Sequence, residues 1–179
     1  MRGFIVTIAA AAVLANFAGM ARADDRAEIN ALYSKLEAAL KNKTPEDTLA
    51  LETPDFTALE KGKKITGKQL VQEMKAQDAS VKTVKDVTIK VKKAAITGKT
   101  AKVTTDFSYL VEVDDPEGHM GPKGATHEMS MSGEVSNDLV KTAAGWKFKT
   151  MKQGVGKMLV DGKPVPQQAP QKPKRGKKM

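Results

Sequence analysis

The stretch THEMSMSGEV, residues 126–135, alternates between two kinds of side chain. His127, Met129, Met131 and Val135 share one parity, and threonine, serine and glutamate occupy the other. A period of two is typical of a β-strand with one apolar face and one solvated face. The pattern therefore predicts a strand here and raises the question of what its apolar face contacts.

Three further segments show the same period. They are DVTIKV, AKVTTDFSYLVEV and GWKFKTM, separated by turn signals such as Gly98 and the loop at residues 114–124. In the last segment the alternation places Trp146, Phe148 and Thr150 on one face and Met151 on the other. The second half of the chain therefore predicts four long antiparallel strands.

The first half has helical periodicity instead. Residues 25–42 carry an apolar stripe at helical spacing that includes Tyr33 and Leu36, and Pro45 begins a second, short helix. Residues 56–59 and 64–66 predict a short hairpin, and Thr66 with Gln69 predicts the capping box of a third helix. The predicted fold class is α+β, a curved antiparallel sheet of about four long strands plus a short hairpin, packed on N-terminal helices.

The ends of the chain differ from this middle part. Residues 1–23 combine Arg2, an apolar run and the ending Ala21-Arg22-Ala23, which predicts a signal peptide cleaved after Ala23. The chain has no cysteine, so disulfides, thiolate metal sites and a lipid-anchored cysteine are excluded. We expect a periplasmic or secreted protein that does not span a membrane after cleavage.

The net charge of +9 is concentrated outside the predicted domain. Residues 24–162 carry 22 basic and 21 acidic side chains, whereas residues 163–179 carry six basic side chains and no acid. We divide the chain into a signal peptide at 1–23, a domain at 24–160 and a disordered basic tail at 161–179. The composition of the tail predicts either a solvated end of the chain or a segment that contacts an anionic surface. It does not predict binding to a specific nucleic acid.

Several of these segments resemble the nuclear transport factor two-like, or SnoaL-like, superfamily, also called cystatin-like. The segments are the first helix ALYSKLEAALKNKTPEDTLAL, PDFTALEKGKKITGKQL, the strands DVTIKV and AKVTTDFSYLVEV, and GWKF. The resemblance implies a cone-shaped sheet around the first helix, often with a pocket for a small apolar molecule. It also implies members that are isomerases, dehydratases, cyclases or non-catalytic binders, so the activity has to be argued from the site.

Parity identifies the side chains that face into such a cone. The predicted pocket consists of Tyr33, Leu36, Thr105, Phe107, Tyr109, His127, Met129, Met131, Trp146 and Phe148. The strand acids Asp106, Glu112, Glu128 and Glu134 fall on the solvated face, and Asp55 is the one acid with a route inward. A carboxylate-driven isomerase is therefore disfavoured. A catalytic site would instead use His127 as general base, with Tyr109 and Tyr33 as proton donors.

Metal binding is a second possible chemistry. His119, His127, Met129 and Met131 lie within 13 residues of the chain and are ligand types that copper accepts. Methionines at strand spacing are also ordinary core residues, so we predict no metal and no cofactor.

The sequence thus predicts an exported domain that holds a small apolar or amphipathic ligand, without catalysis. Two alternatives stay open, a lyase or isomerase acting on a carbonyl compound and an envelope adaptor that works through its tail. The solvated outer face of the sheet predicts a monomer or a weak homodimer.

Overall fold

The protein consists of helices packed on one face of a curved mixed sheet. The computed structural model describes residues 9–60 and 62–165, and the side chains from Ala23 onward except those of Glu60 and Val155. The elements follow in the order α1 (Ala9–Lys41), a 3₁₀ helix (Pro45–Leu51), β1 (Glu52–Glu60), β2 (Lys63–Thr66), α2 (Gly67–Asp78), β3 (Val81–Thr97), β4 (Thr100–Asp115), β5 (Ala125–Thr142), β6 (Gly145–Val160) and β7 (Lys163–Pro164). The predicted α+β class, the short hairpin and the four long strands are confirmed.

The sheet has the strand order β2-β1-β6-β5-β4-β3, and β7 pairs with the end of β6. Strands β3 to β6 are antiparallel to one another, as predicted. The pairing of β1 with β6 is parallel, which the side-chain pattern does not predict. This pairing brings the N-terminal hairpin and α2 beside the last long strand.

Helix α1 begins at Ala9, so it includes much of the segment that the sequence predicts to be removed. Its apolar stripe is buried as predicted, with Ile29, Leu32 and Tyr33 in the core. Asp25 holds the helix to the β5–β6 turn, because its carboxylate accepts hydrogen bonds from Lys141 Nζ at 2.6 Å and from Trp146 Nε1 at 3.1 Å. Within residues 9–60 and 62–165, no helix is long and apolar enough to cross a membrane.

The same helix and the turn that follows it cover part of the free edge of the sheet at β3. Oε2 of Glu37 accepts a hydrogen bond from the backbone N–H of Ile89 at 3.0 Å, and Lys43 Nζ donates to the Val81 carbonyl oxygen at 2.6 Å. Unpaired edge groups are templates for pairing with other chains. The two side chains satisfy edge groups that would otherwise face solvent.

Helix α2 starts where the capping box predicted. The Thr66 hydroxyl accepts from the Gln69 backbone N–H at 3.3 Å, and Oε1 of Gln69 accepts from the Thr66 N–H at 2.8 Å. Val71 is the buried side chain of its inner face, with Leu70 and Met74 partly buried. The predicted buried side of this helix is confirmed.

Strand β6 departs from strict alternation, and one prediction is wrong for this reason. Asp138 pairs with Thr150, whereas the next residue of β5, Leu139, pairs with Phe148, so Lys149 is an extra residue that forms a bulge. The bulge turns Thr150 outward, where its hydroxyl donates to Asp138 Oδ2 at 2.7 Å. Met151 consequently faces inward and packs against the core, although strict alternation had placed it on the opposite face.

The ordered sheet also continues past the predicted domain boundary at residue 160. Strand β7 and the turn before it fall within the segment predicted as tail. The rest of that tail, residues 166–179, lies outside the described residues, as do residues 1–8 of the predicted signal peptide.

Candidate functional site

The inner faces of β4 and β5 form a ladder of side-chain pairs that runs the length of the sheet. Directly paired residues share a face, so the register gives the order along it. The successive pairs are Ala101–Leu139, Val103–Asn137, Thr105–Val135, Phe107–Gly133, Tyr109–Met131, Val111–Met129, Val113–His127 and Asp115–Ala125. Most residues of the predicted pocket therefore lie on this one face.

Two separate core clusters cover the ends of the ladder. The first contains Tyr33, Trp146 and Phe148 with Val103 and Leu139, and Leu36 packs against it. The second contains Val81, Val111 and Val113, with Tyr109 and Met129 packed against it. At the first cluster the predicted pocket residues are core side chains, because Tyr33 and Phe148 are each only 2% exposed.

Between the clusters the inner face is only partly covered. Phe107, Tyr109, Met129 and Met131 are all partly exposed although they face inward. Met158 on β6 pairs directly with Met131 and is 38% exposed. Gly133 contributes no side chain opposite Phe107. We call the five partly exposed side chains, Phe107, Tyr109, Met129, Met131 and Met158, the central apolar surface.

Tyr33 and Asn137 form a polar pair at the first-cluster end of this surface. The Tyr33 ring packs edge-on against Phe148, with 5.3 Å between ring centroids. Tyr33 Oη and Asn137 Oδ1 are both buried, and no hydrogen bond of good geometry reaches either atom from the described residues. Burial raises the pKa of Tyr33, and the neighbouring Asn137 side chain opposes that rise. Thr105, one pair along the ladder, donates to the Val135 carbonyl oxygen at 3.4 Å.

Tyr109 is the titratable side chain of the central apolar surface. Burial raises the pKa of Tyr109, and the negative charge of Asp78 raises it further. Asp78 is the last residue of α2 and is partly buried. Burial raises the pKa of Asp78 as well, whereas the nearby Lys43 ammonium lowers it.

His127 lies at the far end of the ladder, under the loop at residues 114–124 and the turn between β6 and β7. Its Nδ1 lies 2.7 Å from Asp161 Oδ2, and its Nε2 lies 3.8 Å from Asp115 Oδ2. Gly121 covers the ring so closely that a Cβ added there would lie 2.6 Å from Cε1. His127 is 6% exposed, so the imidazole is enclosed between two carboxylates.

Asp115 in turn organises the loop over His127. Its carboxylate accepts hydrogen bonds from the backbone N–H groups of His119 at 2.8 Å and Met120 at 2.6 Å. These bonds, with those from Gly118 and Gly121, hold the pKa of Asp115 below its usual range. Strand alternation extended to residue 115 would have identified this inward acid, which falls within the predicted loop at residues 114–124.

The three candidate catalytic residues are not brought together. His127 and Tyr109 are two ladder pairs apart, about 13 Å along the strands at about 3.3 Å per residue. Tyr33 faces Asn137, which lies ten residues from His127 on β5, about 33 Å along the strand. A general base and a proton donor for one carbonyl group must reach atoms a few ångströms apart. His127, Tyr109 and Tyr33 therefore do not form one catalytic site in this structure.

The candidate metal ligands are likewise spread out. His119 is exposed in the loop, whereas His127 is enclosed beneath it. Met129 and Met131 belong to the central apolar surface. Across the described part of the chain, no three histidine, aspartate or glutamate side chains are grouped so that they could hold a metal ion.

In the first half of the chain, the acid that lies partly buried is not Asp55, which was predicted to have a route inward. Asp55 is exposed and binds Lys149 and the Thr53 hydroxyl, so it does not point inward. Glu52 is the partly buried acid there, with its carboxylate against Gly67 at the start of α2, where a Cβ would overlap Oε2. Burial raises the pKa of Glu52 to about 7. No local sequence signal identified it, because its carboxylate lies against Gly67, which is distant from Glu52 in the sequence.

The solvated face of the sheet carries the predicted acids in ion pairs. Lys85 bridges Glu112 and Glu128 at 3.0 Å each. Lys92 bridges Asp106 at 3.2 Å and Glu134 at 3.1 Å. The placement of these four acids on the outer face is therefore confirmed.

Comparison with known proteins agrees with this geometry. Residues 21–152 match the family model for the SnoaL-like domain. No curated protein matches the sequence. Among solved structures, the Kfla4162 protein from Kribbella flavida is similar with a TM-score of 0.62 and 16% identity, over 74% of this chain and 90% of that one.

Two further structures have the same fold. A nuclear transport factor 2-like superfamily protein from Salmonella enterica has a TM-score of 0.57 and 13% identity, over 74% of this chain and 92% of that one. A ketosteroid isomerase-like protein from Erwinia carotovora atroseptica has a TM-score of 0.53 and 15% identity, over 71% and 92%. Since the family model covers most of the chain, this protein belongs to the SnoaL-like domain family, and it shares the fold of the nuclear transport factor 2-like protein.

Proposed function

We propose that the protein binds a small apolar or amphipathic molecule on the central apolar surface, without chemical turnover. The observation that carries the proposal is the partial exposure of Phe107, Tyr109, Met129 and Met131 between two well-packed core clusters. Side chains that face inward in a filled core would be fully buried. Methionines suit such a site because their flexible, polarisable side chains adapt to ligands of different shape.

A lyase or isomerase is less well supported. The chain is similar to a ketosteroid isomerase-like protein, but at 15% identity that similarity concerns the fold. Both ring nitrogens of His127 face carboxylates, and the ring lies two ladder pairs from Tyr109. These distances favour a positioning role for His127 over proton transfer to a shared substrate.

The experiment that tests the proposal is a fluorescence titration with N-phenyl-1-naphthylamine, a neutral apolar dye. The blocking variant is Gly133→Val, which puts a side chain opposite Phe107 on the inner face. Gly133 does not have a positive φ, so valine is compatible with its backbone. Ser132→Val is the matched control, because it adds similar bulk one residue away on the outer face.

We expect Gly133→Val to weaken dye binding about tenfold or more, since the added methyl groups occupy ligand volume. Ser132→Val should bind like the wild type. Equal binding by all three proteins, or no binding at all, would overturn the proposal. Native mass spectrometry of protein purified without denaturation would then show whether a natural ligand is retained.

Export and the role of the tail belong to the same proposal. The ending Ala21-Arg22-Ala23 supports cleavage after Ala23 and a periplasmic or secreted location. The six basic residues of 163–179 support contact with an anionic surface as a second alternative function. Binding to anionic vesicles that weakens with salt and disappears on removal of residues 172–179 would support it. The ion-paired outer face favours a monomer or a weak homodimer.

A further inference from the structure

A row of three side chains crosses the central apolar surface from β4 to β6. Tyr109 pairs directly with Met131, and Met131 pairs directly with Met158 on its other side. Directly opposite residues of antiparallel strands have Cβ atoms about 4.5–5.5 Å apart. Met129 precedes Met131 by two residues on the same face of β5, about 7 Å away along the strand. The register of β6 therefore adds a third thioether to the two that alternation predicts, next to an aromatic ring.

The sulfur atoms of this group are on accessible side chains. Met158 is 38% exposed, and Met129 and Met131 are partly exposed. A methionine that only fills a core would be buried by its neighbours. The methionine side chain has three rotatable bonds, so sulfur atoms on adjacent strands can turn towards a common point.

The surroundings of the three methionines do not repel a cation. The inward-facing pairs of the β4–β5 ladder contain no lysine or arginine. Beside Met158, the same face of β6 carries Gly156 and Val160. The face of the Tyr109 ring attracts cations. A positive ion that sulfur can bind is therefore compatible with this part of the inner face.

We propose that Met129, Met131 and Met158 bind a soft monovalent metal ion, Cu(I), through their three thioether sulfur atoms. Thioether sulfur is a soft ligand that selects Cu(I), whereas hard ions such as Mg²⁺ prefer oxygen ligands. His127 is not a ligand, because its ring is enclosed between two carboxylates. The inference goes beyond the proposed function, since ion binding requires sulfur and an apolar ligand requires only an apolar surface.

The test is a competition for Cu(I) between the protein and the coloured chelator bicinchoninate, without oxygen and with ascorbate as reductant. The wild type is compared with Met129→Leu, Met131→Leu and Met158→Leu, and with the control Met120→Leu in the exposed loop. Leucine has nearly the volume of methionine, so each variant keeps its apolar surface and loses one sulfur atom. Thermal unfolding verifies that each variant is folded, and titration with N-phenyl-1-naphthylamine measures apolar binding in the same samples.

We expect the wild type and Met120→Leu to bind one Cu(I) per chain with equal affinity, and each of the three site variants to bind it about tenfold or more weakly. Dye binding should be the same in all of these proteins. Equal Cu(I) affinity in the wild type and the three site variants, or no transfer of Cu(I) from the chelator to the wild type, overturns the thioether site. Absence of dye binding by the wild type would overturn the proposed function alone, because the Cu(I) comparison depends on the sulfur atoms.

Discussion

Asp161 Oδ2 lies 2.7 Å from Nδ1 of His127, and Asp161 Oδ1 accepts a hydrogen bond from the backbone N–H of Glu128 at 3.0 Å. One side chain from the β6–β7 turn thus fixes both the imidazole and the strand that carries it. The hydrogen bond from His127 holds the pKa of Asp161 below its usual range. This relationship identifies His127 as a residue that anchors the turn to the sheet.

We predict that Asp161→Ala lowers the free energy of unfolding by about 2 kcal/mol, because two hydrogen bonds are lost and Nδ1 of a buried histidine loses its partner. Urea denaturation followed by circular dichroism measures the change. Hydrogen exchange should also become faster at the Glu128 amide. A change below about 0.5 kcal/mol would contradict the anchoring role.

The bulge at Lys149 yields a prediction about two neighbouring residues. Met151→Ala should destabilise the protein by about 2 kcal/mol or more, since Met151 packs against the core. Thr150→Ala should cost less than about 1 kcal/mol, because its hydroxyl bonds the Asp138 carboxylate on the exposed face. Denaturation of both variants measures the difference. If the two costs come in the opposite order, the inner face of β6 has been misassigned.

Glu52 makes the stability of the protein depend on pH. Its folded-state pKa of about 7 lies above the ordinary value of 4.5, so the folded protein binds this proton more tightly than the unfolded chain. The corresponding stability is complete below about pH 4.5 and is lost as the pH rises through about 7. Glu52→Gln removes the ionisable group and should therefore raise the melting temperature more at pH 8 than at pH 5.

We expect the gain at pH 8 to be about 2–4 °C larger than the gain at pH 5, as measured by scanning calorimetry. Glu73→Gln on the exposed surface of α2 is the control and should show no such pH-dependent gain. A gain from Glu52→Gln that is equal at the two pH values would mean that the Glu52 carboxyl is well solvated.

Much of the fold follows from side-chain alternation and local signals. The inner faces of β4 and β5, the hairpin and the Thr66–Gln69 capping box were all predicted because each depends on residues close together in the chain. The orientation of Thr150 and Met151 was not, because one extra residue in β6 reverses the parity after it.

The sequence predicts which side chains of the site face inward, but it does not predict how deeply each of them is buried. Parity placed Phe148 and Met131 on the same inner face of the sheet. Phe148 is nevertheless a core residue and Met131 is partly exposed, because helix α1 covers one of them and not the other. The contact of His127 with Asp161 joins residues that are 34 positions apart in the chain. Periodicity within a short window contains no information about such pairs.

The most direct test of the central claim is to locate the ligand by methyl NMR. Protein labelled at the methionine methyl groups would be titrated with N-phenyl-1-naphthylamine, with assignments made by single Met→Leu variants. The central apolar surface predicts large shifts at Met129, Met131 and Met158, and little change at Met151 in the first cluster or Met120 in the exposed loop. Shifts confined to Met120, or no shifts at dye concentrations that saturate the fluorescence, would contradict a ligand site on this surface.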